Sequence, residues 1–230
     1  MNLFALGLAV VIGYLFGAIP SGKIYVKLFT GQDLQQVGSG RVSGTNSMRA
    51  AGWKVGVLTA LTDVFKGLVA LWLITAVSTP LVSADFLPWV QATAGVLVVI
   101  GHNWSIFLGF GGGAGTTPNV GWATLIWWPI FPIGFLVMFV TVTFIGYASV
   151  GSTLMAIALP VSFGWLYFSG SPLVESTPAY FIASLITAGL IMFSLRENYV
   201  RLAQGNERVV GLRAKRQTQE TESANPRSQA

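Results

Sequence analysis

Residues 38–46 read GSGRVSGTN, and Arg49 follows within one turn. Gly38, Gly40 and Gly44 allow close backbone approach and positive φ. Successive N–H groups in such a loop form a concavity that binds anions. Ser39, Ser43, Thr45 and Asn46 add side-chain donors, and Arg49 adds a guanidinium fork that matches phosphate oxygens. The stretch is not a Walker loop, because it lacks the terminal Gly-Lys-Ser/Thr. The plainer alternative is a flexible loop that ends in a helix cap at Thr45 or Asn46.

Two more polar clusters interrupt an otherwise apolar chain. Residues 102–119, HNWSIFLGFGGGAGTTPN, combine His102 and Asn103 with Gly111, Gly112, Gly113, Gly115, Thr116 and Thr117, and hold no lysine or arginine. His102 is the one histidine of the chain. It reads as a packed or capping residue as readily as a catalyst, and without neighbouring carboxylates it makes a poor metal site. Residues 196–207, RENYVRLAQGNE, carry Arg196, Glu197, Asn198 and Arg201. A basic anchor at a helix end explains Arg201 and Arg208 well, but Glu197 and Asn198 less well. Asp63 and Lys66 share a helix face at i, i+3. They are either a self-neutralising pair or a functional one, since ionisable groups inside a span are expensive.

The elements that must position these clusters are membrane helices. Of 230 residues 53% are hydrophobic and 9% charged, against roughly 25% charged in an average soluble chain. The net charge of +5 does not point to nucleic acid, because no Lys or Arg lies between Lys66 and Arg196. That spacing is a topology signal. Residues 3–19 form an uncleaved first span, since no positive n-region precedes them. Further spans are expected at about 55–78, 87–101, 120–131, 133–146, 153–168 and 179–195. The division of 120–146 rests on Pro129 and Pro132. Residues 21–54 read as a polar loop and 147–152 as a turn on the same side.

The fold class is therefore an all-α membrane bundle of about seven transmembrane helices, two of them short. The N-terminus is placed outside and the C-terminus inside, with Asp85 and Glu175 in outer loops. Residues 1–207 form the membrane domain, and 208–230 a basic, then polar, disordered tail. No internal repeat is evident, which weighs against inverted-repeat transporters. The three polar clusters then share the inner face.

On these motifs the chain resembles the bacterial membrane glycerol-3-phosphate acyltransferases that use acyl phosphate as donor. That family carries Gly-Ser-Gly-Asn-x-Gly-Ala-Thr-Asn-x-x-Arg where this chain reads GSGRVSGTNSMR. Its Asp-x-x-Lys-Gly matches DVFKG. Its second motif, His-Asn followed by Gly-Gly-Lys-Gly-x-Ala-Thr, is similar to GHNW and GGGAGTT. Its third, His-Arg-x-Asn-x-x-Arg-Leu-x-x-Gly-x-Glu, is similar to LRENYVRLAQGNE. The resemblance covers residues 1–207 in order.

The resemblance implies transfer of a fatty acyl group from acyl phosphate to the sn-1 hydroxyl of glycerol 3-phosphate, giving lysophosphatidic acid and phosphate. It implies a bacterial inner-membrane enzyme whose site faces the cytoplasm and which uses no cofactor or metal. By motif position, Ser39, Asn46, Arg49 and Asn198 are catalytic. Gly38, Gly40, Arg41, Ser43, Thr45, Lys66, His102, Asn103, Gly111, Gly112, Thr116, Thr117, Arg196, Glu197 and Arg201 bind substrate. The expected partners are the two substrates and the lipid bilayer, with no nucleic acid; a monomer suffices. Four departures stand out: Arg41 for asparagine, Ser43 for glycine, Gly113 for lysine in a motif one residue shorter, and Leu195 for histidine. They leave two rivals open, a diverged paralogue with altered acceptor and a non-enzymatic transporter or phosphate-binding protein.

Overall fold

The computed structural model describes residues 1–174, 177–214 and 216. Glu175 and the polar tail 217–230 lie outside the described residues. Ten α-helices follow in order among those described: α1 (Asn2–Ala18), α2 (Ser21–Thr30), α3 (Gly44–Ala51), α4 (Trp53–Ser78), α5 (Leu87–Asn103), α6 (Thr116–Ile126), α7 (Ile130–Val140), α8 (Ala148–Phe168), α9 (Pro178–Ser194) and α10 (Arg196–Ala203). A π turn at Thr141–Ile145 extends α7. Among the described residues there is no β-strand, only an isolated bridge between Ser105 and Gly111.

Among the described residues, four helical segments are long and apolar enough to cross a membrane: Asn2–Thr30, Trp53–Ser78, Ala84–Asn103 and Ala148–Phe168. Helices α9 and α10 add a fifth if the pair, bent by 54°, is one span. Helix α6 has 11 residues and rises roughly 16 Å, about half of a hydrocarbon core. The expected break in the 120–146 run is present at Trp127–Pro129, so α6 ends five residues and α7 begins three residues earlier than expected, because Pro132 is tolerated in the first turn of α7.

Residues 21–54 are not a simple loop. They contain α2 and α3, because Val26 is buried on one face of α2 while Ile24, Leu28 and Phe29 stay exposed on the other. The expected turn at 147–152 shrinks to Gly146–Tyr147, where Gly146 takes φ 80° and α8 starts at once. The stretch from residue 208 does not leave the bundle directly. Val210 is buried, its N–H donates to the Gly146 carbonyl at 2.9 Å, and Arg213 stacks 4.7 Å over Tyr147.

Glycines set the closest helix contacts. A Cβ on Gly17 would stand 2.1 Å from the Val98 carbonyl oxygen, and one on Gly101 2.2 Å from that of Tyr14, so α1 and α5 meet backbone to backbone. Gly121 does the same for α6 on Val64 of α4, at 2.0 Å. Lipid gives no hydrophobic drive between helices, so such close van der Waals contact carries the association. Phe4, Phe65, Phe135, Phe144, Trp165 and Phe168 are each more than half exposed, which suits a surface solvated by acyl chains.

Polar chains lock the layers. Tyr180 of α9 donates to Gln91 of α5 at 2.5 Å, and Gln91 donates to Thr75 of α4 at 2.8 Å. Deeper, Lys66 pairs with Asp63 at 2.9 Å, donates to the Ile19 carbonyl at 2.9 Å and lies 2.9 Å from His102 Nδ1. Ser21 donates to Asp63 at 2.6 Å. Asp63 is 0% exposed and Lys66 4%, so neither charge reaches water. The network joins the α1–α2 hinge, α4 and α5.

Removing one partner of a buried ion pair leaves an uncompensated charge and costs about 3–5 kcal/mol, whereas replacing both is often near neutral. Lys66→Met is therefore expected to lower the thermal midpoint in detergent sharply, and Asp63→Leu with Lys66→Met to recover most of the loss. Equal midpoints for the single and double variants would contradict a stabilising pair.

Candidate active site

Asn46 builds the first loop. It is completely buried, and its amide nitrogen donates to the carbonyls of Val37 at 2.9 Å and Arg41 at 3.0 Å. Its oxygen accepts from the Ser39 N–H at 3.2 Å. Gly38 takes φ 57°, and a Cβ there would stand 2.4 Å from that same oxygen. The loop thus closes around the Asn46 amide. The helix cap is Ser43, whose hydroxyl accepts from the Asn46 N–H at 3.4 Å, rather than Thr45 or Asn46. A serine in extended conformation suits that position, and α3 starts at Gly44.

The three polar clusters meet at one end of the bundle. The Val42 N–H donates to the Gly112 carbonyl at 3.2 Å, which docks the first loop on the second. The Arg41 guanidinium donates to the Ser194 carbonyl, and Asn103 donates to the Ser194 hydroxyl at 2.9 Å. Arg49 donates to the Val209 carbonyl at 3.4 Å. Ser194, at the end of α9, is the point where all three segments join.

Between them lies a cavity of about 70 Å³. The first loop and α3 give it Ser39, Arg41, Ser43, Thr45 and Arg49, and the second loop gives Ala114. Ala148, Ser149 and Ser152 come from the start of α8, and Leu195 and Asn198 from the start of α10. Glu207 and Arg208 close it. The first turns of α3, α8 and α10 all line this space, and helix N-termini attract anions through free N–H groups and the macrodipole.

Its charge is positive and partly desolvated. Burial lowers the Arg41 pKa most; Arg201 and Arg196 add to the fall, while Glu197 and Glu207 oppose it. Burial likewise lowers that of Arg49, helped by Arg208. One terminal nitrogen of Arg41 is buried with no acceptor. An anion in the cavity would relieve both the desolvation and the mutual repulsion of these arginines. Among the described residues, no three His, Cys, Asp or Glu side chains group to hold a metal ion.

The remaining candidates fall into two sets. His102 and Lys66 belong to the buried ionic network and do not line the cavity. Gly111 and Gly112 shape the second loop, since a Cβ on Gly112 would stand 2.1 Å from the His102 carbonyl oxygen. Thr116 is buried at the start of α6 with its hydroxyl unpartnered, as is the Asn103 side-chain oxygen; Thr117 is half-buried beside it. Arg196 is turned outward over Phe193 at 4.5 Å, and Glu197 is exposed. Arg201 instead pairs with Glu207 at 3.0 Å. Gly40 holds φ 70° between Ser39 and Arg41.

Against known sequences, a profile of the Glycerol-3-phosphate acyltransferase family matches residues 7–205. The chain belongs to the glycerol-3-phosphate acyltransferase family. A member from Thermus thermophilus is 34% identical over 210 residues, 89% of this chain and 94% of the relative. One from Syntrophomonas wolfei is 33% identical over 198 residues, 86% and 93% of the two chains. A crystal structure of PlsY, an integral membrane glycerol 3-phosphate acyltransferase, in its glycerol 3-phosphate form superposes with a TM-score of 0.73 at 33% identity. It covers 90% of this chain and 96% of PlsY. A lysophosphatidic acid form gives 0.72 at 31% identity. This chain is thus an integral membrane protein of that family.

Within the family frame, Gly113 is explained by packing. A Cβ there would stand 2.1 Å from His102 Nε2 and 2.6 Å from the Val42 carbonyl oxygen. The second loop lies directly on the histidine ring. Sequence reading missed Glu207, Ser149, Ser152, Arg208 and Ser194. Glu207 is the last residue of the third motif, so the signal was present; the serines sit in small-residue stretches with no pattern of their own.

Gly113→Lys, the residue expected there from the resemblance, should lower both the melting temperature and activity, because its Cβ collides with His102. A gain of activity at unchanged stability would show that the second loop has room for a side chain.

Proposed function

We propose that the protein transfers a fatty acyl group from acyl phosphate to the sn-1 hydroxyl of glycerol 3-phosphate, early in phospholipid synthesis. The observation that carries this reading is the arginine-lined cavity at which the three family motifs meet. In the reaction the glycerol oxygen bonds to the acyl carbonyl carbon, the bond from that carbon to the phosphate oxygen breaks, and the hydroxyl proton ends on released phosphate. Acyl phosphate is already activated, so positioning and charge stabilisation supply the catalysis.

Arg41 and Arg49 hold phosphate, with the N–H groups at the start of α3 and the hydroxyls of Ser39, Ser43 and Thr45. The second loop brings no cation, and Arg41 supplies one from the facing loop. An apolar groove of about 510 Å³ between α4 and α6–α7, lined by Leu61, Phe65, Leu68 and Phe131, begins one residue past Ala60, which packs on Gly44. It offers the acyl chain an apolar surface on the bundle.

The chain makes seven passes, two of them short, in a bacterial inner membrane. The cavity end, which gathers Arg41, Arg49, Arg196, Arg201 and Arg208, faces the cytoplasm by the positive-inside rule. The membrane domain runs to about residue 207, and the segment after it packs back on α7 and α8.

Purified protein given glycerol 3-phosphate is expected to form lysophosphatidic acid with palmitoyl phosphate, and none with palmitoyl-CoA or palmitoyl-acyl carrier protein. Product from either thioester would overturn the donor assignment. Arg41→Asn is expected to raise KM for glycerol 3-phosphate roughly ten- to a hundredfold, the loss of a charge-assisted contact of about 1.5–3 kcal/mol. An unchanged KM would remove Arg41 from the phosphate site.

A further inference from the structure

Glu207 sits in the third motif but makes no contact that calls for a substrate role. Its side chain is 4% exposed and engaged by three donors. Asn198 Nδ2 donates to Oε1 at 2.8 Å, the Ser149 hydroxyl to the same oxygen at 3.4 Å, and Arg201 Nε to Oε2 at 3.0 Å. A carboxylate paired with an arginine only accepts hydrogen bonds. It therefore decides the orientation of the Asn198 amide, because the reverse orientation would set two acceptors 2.8 Å apart.

The consequence lies on the other side of that amide. Asn198 Oδ1 is buried and has no protein partner, and Asn198 lines the cavity. The arginines there can only donate. Apart from rotatable hydroxyls, and with Glu207 already engaged, Asn198 Oδ1 is the side-chain acceptor left open among the lining residues described. Phosphate oxygens need donors, whereas a hydroxyl that is to attack a carbonyl carbon needs an acceptor for its proton side.

We infer that Glu207 is a positioning residue that fixes the Asn198 amide so that Oδ1 receives the hydrogen bond of the attacking hydroxyl of the polyol phosphate. Asn198 takes no proton; it aims an oxygen lone pair of the acceptor at the acyl carbon. The inference rests on the acyltransferase reading above and names the part of the site that reads the alcohol rather than the phosphate.

The test is a polarity swap. Glu207→Gln frees the Asn198 amide to turn over and is expected to lower kcat about tenfold, the scale of one hydrogen bond, and to raise KM for glycerol 3-phosphate. Asn198→Asp sets two carboxylates against each other and is expected to be worse. The double variant carries the same net charge as the native protein. Its new amide donates to its new carboxylate, an acceptor again stands in the place of Asn198 Oδ1, and kcat is expected to recover to within a few-fold of native.

A double variant no better than the weaker single, with a native-like melting curve, would overturn the inference, as would Glu207→Gln with native kcat. Binding of glycerol 3-phosphate against propyl phosphate, which lacks hydroxyls, provides a readout independent of turnover. The native protein is expected to prefer the former and Glu207→Gln to lose that preference while still binding propyl phosphate; equal preference in both proteins would also overturn it. Failure of the acyltransferase reading itself would appear separately, as a native protein that forms no lysophosphatidic acid.

Discussion

The structure depends on a buried charge that has nowhere else to go. Lys66 lies inside an apolar bundle, and moving an ammonium out of water is tolerated only when partners surround it. Asp63, the Ile19 carbonyl and His102 provide them. To meet Lys66, the end of α1, the middle of α4 and the end of α5 must come to one level. That level lies outside the lining of the cavity, but it fixes the helices from which the loops start. His102 in turn accepts the Gly113 N–H on its backbone carbonyl at 3.0 Å, so the second loop is laid down from the same point.

The loops themselves are held by amides and backbone rather than by charge. Asn46 folds the first loop, Ser194 ties it to the second and third segments, and Glu207 draws α8 and α10 together through Ser149 and Asn198. The arginines are then left to face a cavity lined by helix starts. A basic, partly desolvated space of this kind costs stability when empty and gains when an anion enters, which supports the proposed phosphate cradle. The family's name carries a phosphate ester, and this chain keeps a basic site although its second loop holds no Lys or Arg.

Much of this was legible in the sequence. Charge spacing and apolar runs gave the helices α1, α4, α5, α8 and α9 within a few residues, and Pro129 announced the break between α6 and α7. The three clusters were expected to share one face, and they do meet. Helices α2 and α3 were not legible, since a short amphipathic helix among glycines has too few turns to show its period. The roles within the clusters were also hidden. Asn46 and His102 look like chemistry by type, yet burial makes one a strut and the other a packing partner. Arg41 looked like a departure, and its reach to Ser194 depends on a contact 153 residues away that no local pattern encodes. Glu207 became visible only through its partners.

The most direct test is a crystal structure of this protein with glycerol 3-phosphate. The phosphate is expected between Arg41 and Arg49 at the start of α3, with the terminal hydroxyl turned to Asn198. A phosphate bound elsewhere, or one that leaves both arginines in their present contacts, would contradict the assignment of this cavity as the phosphate cradle.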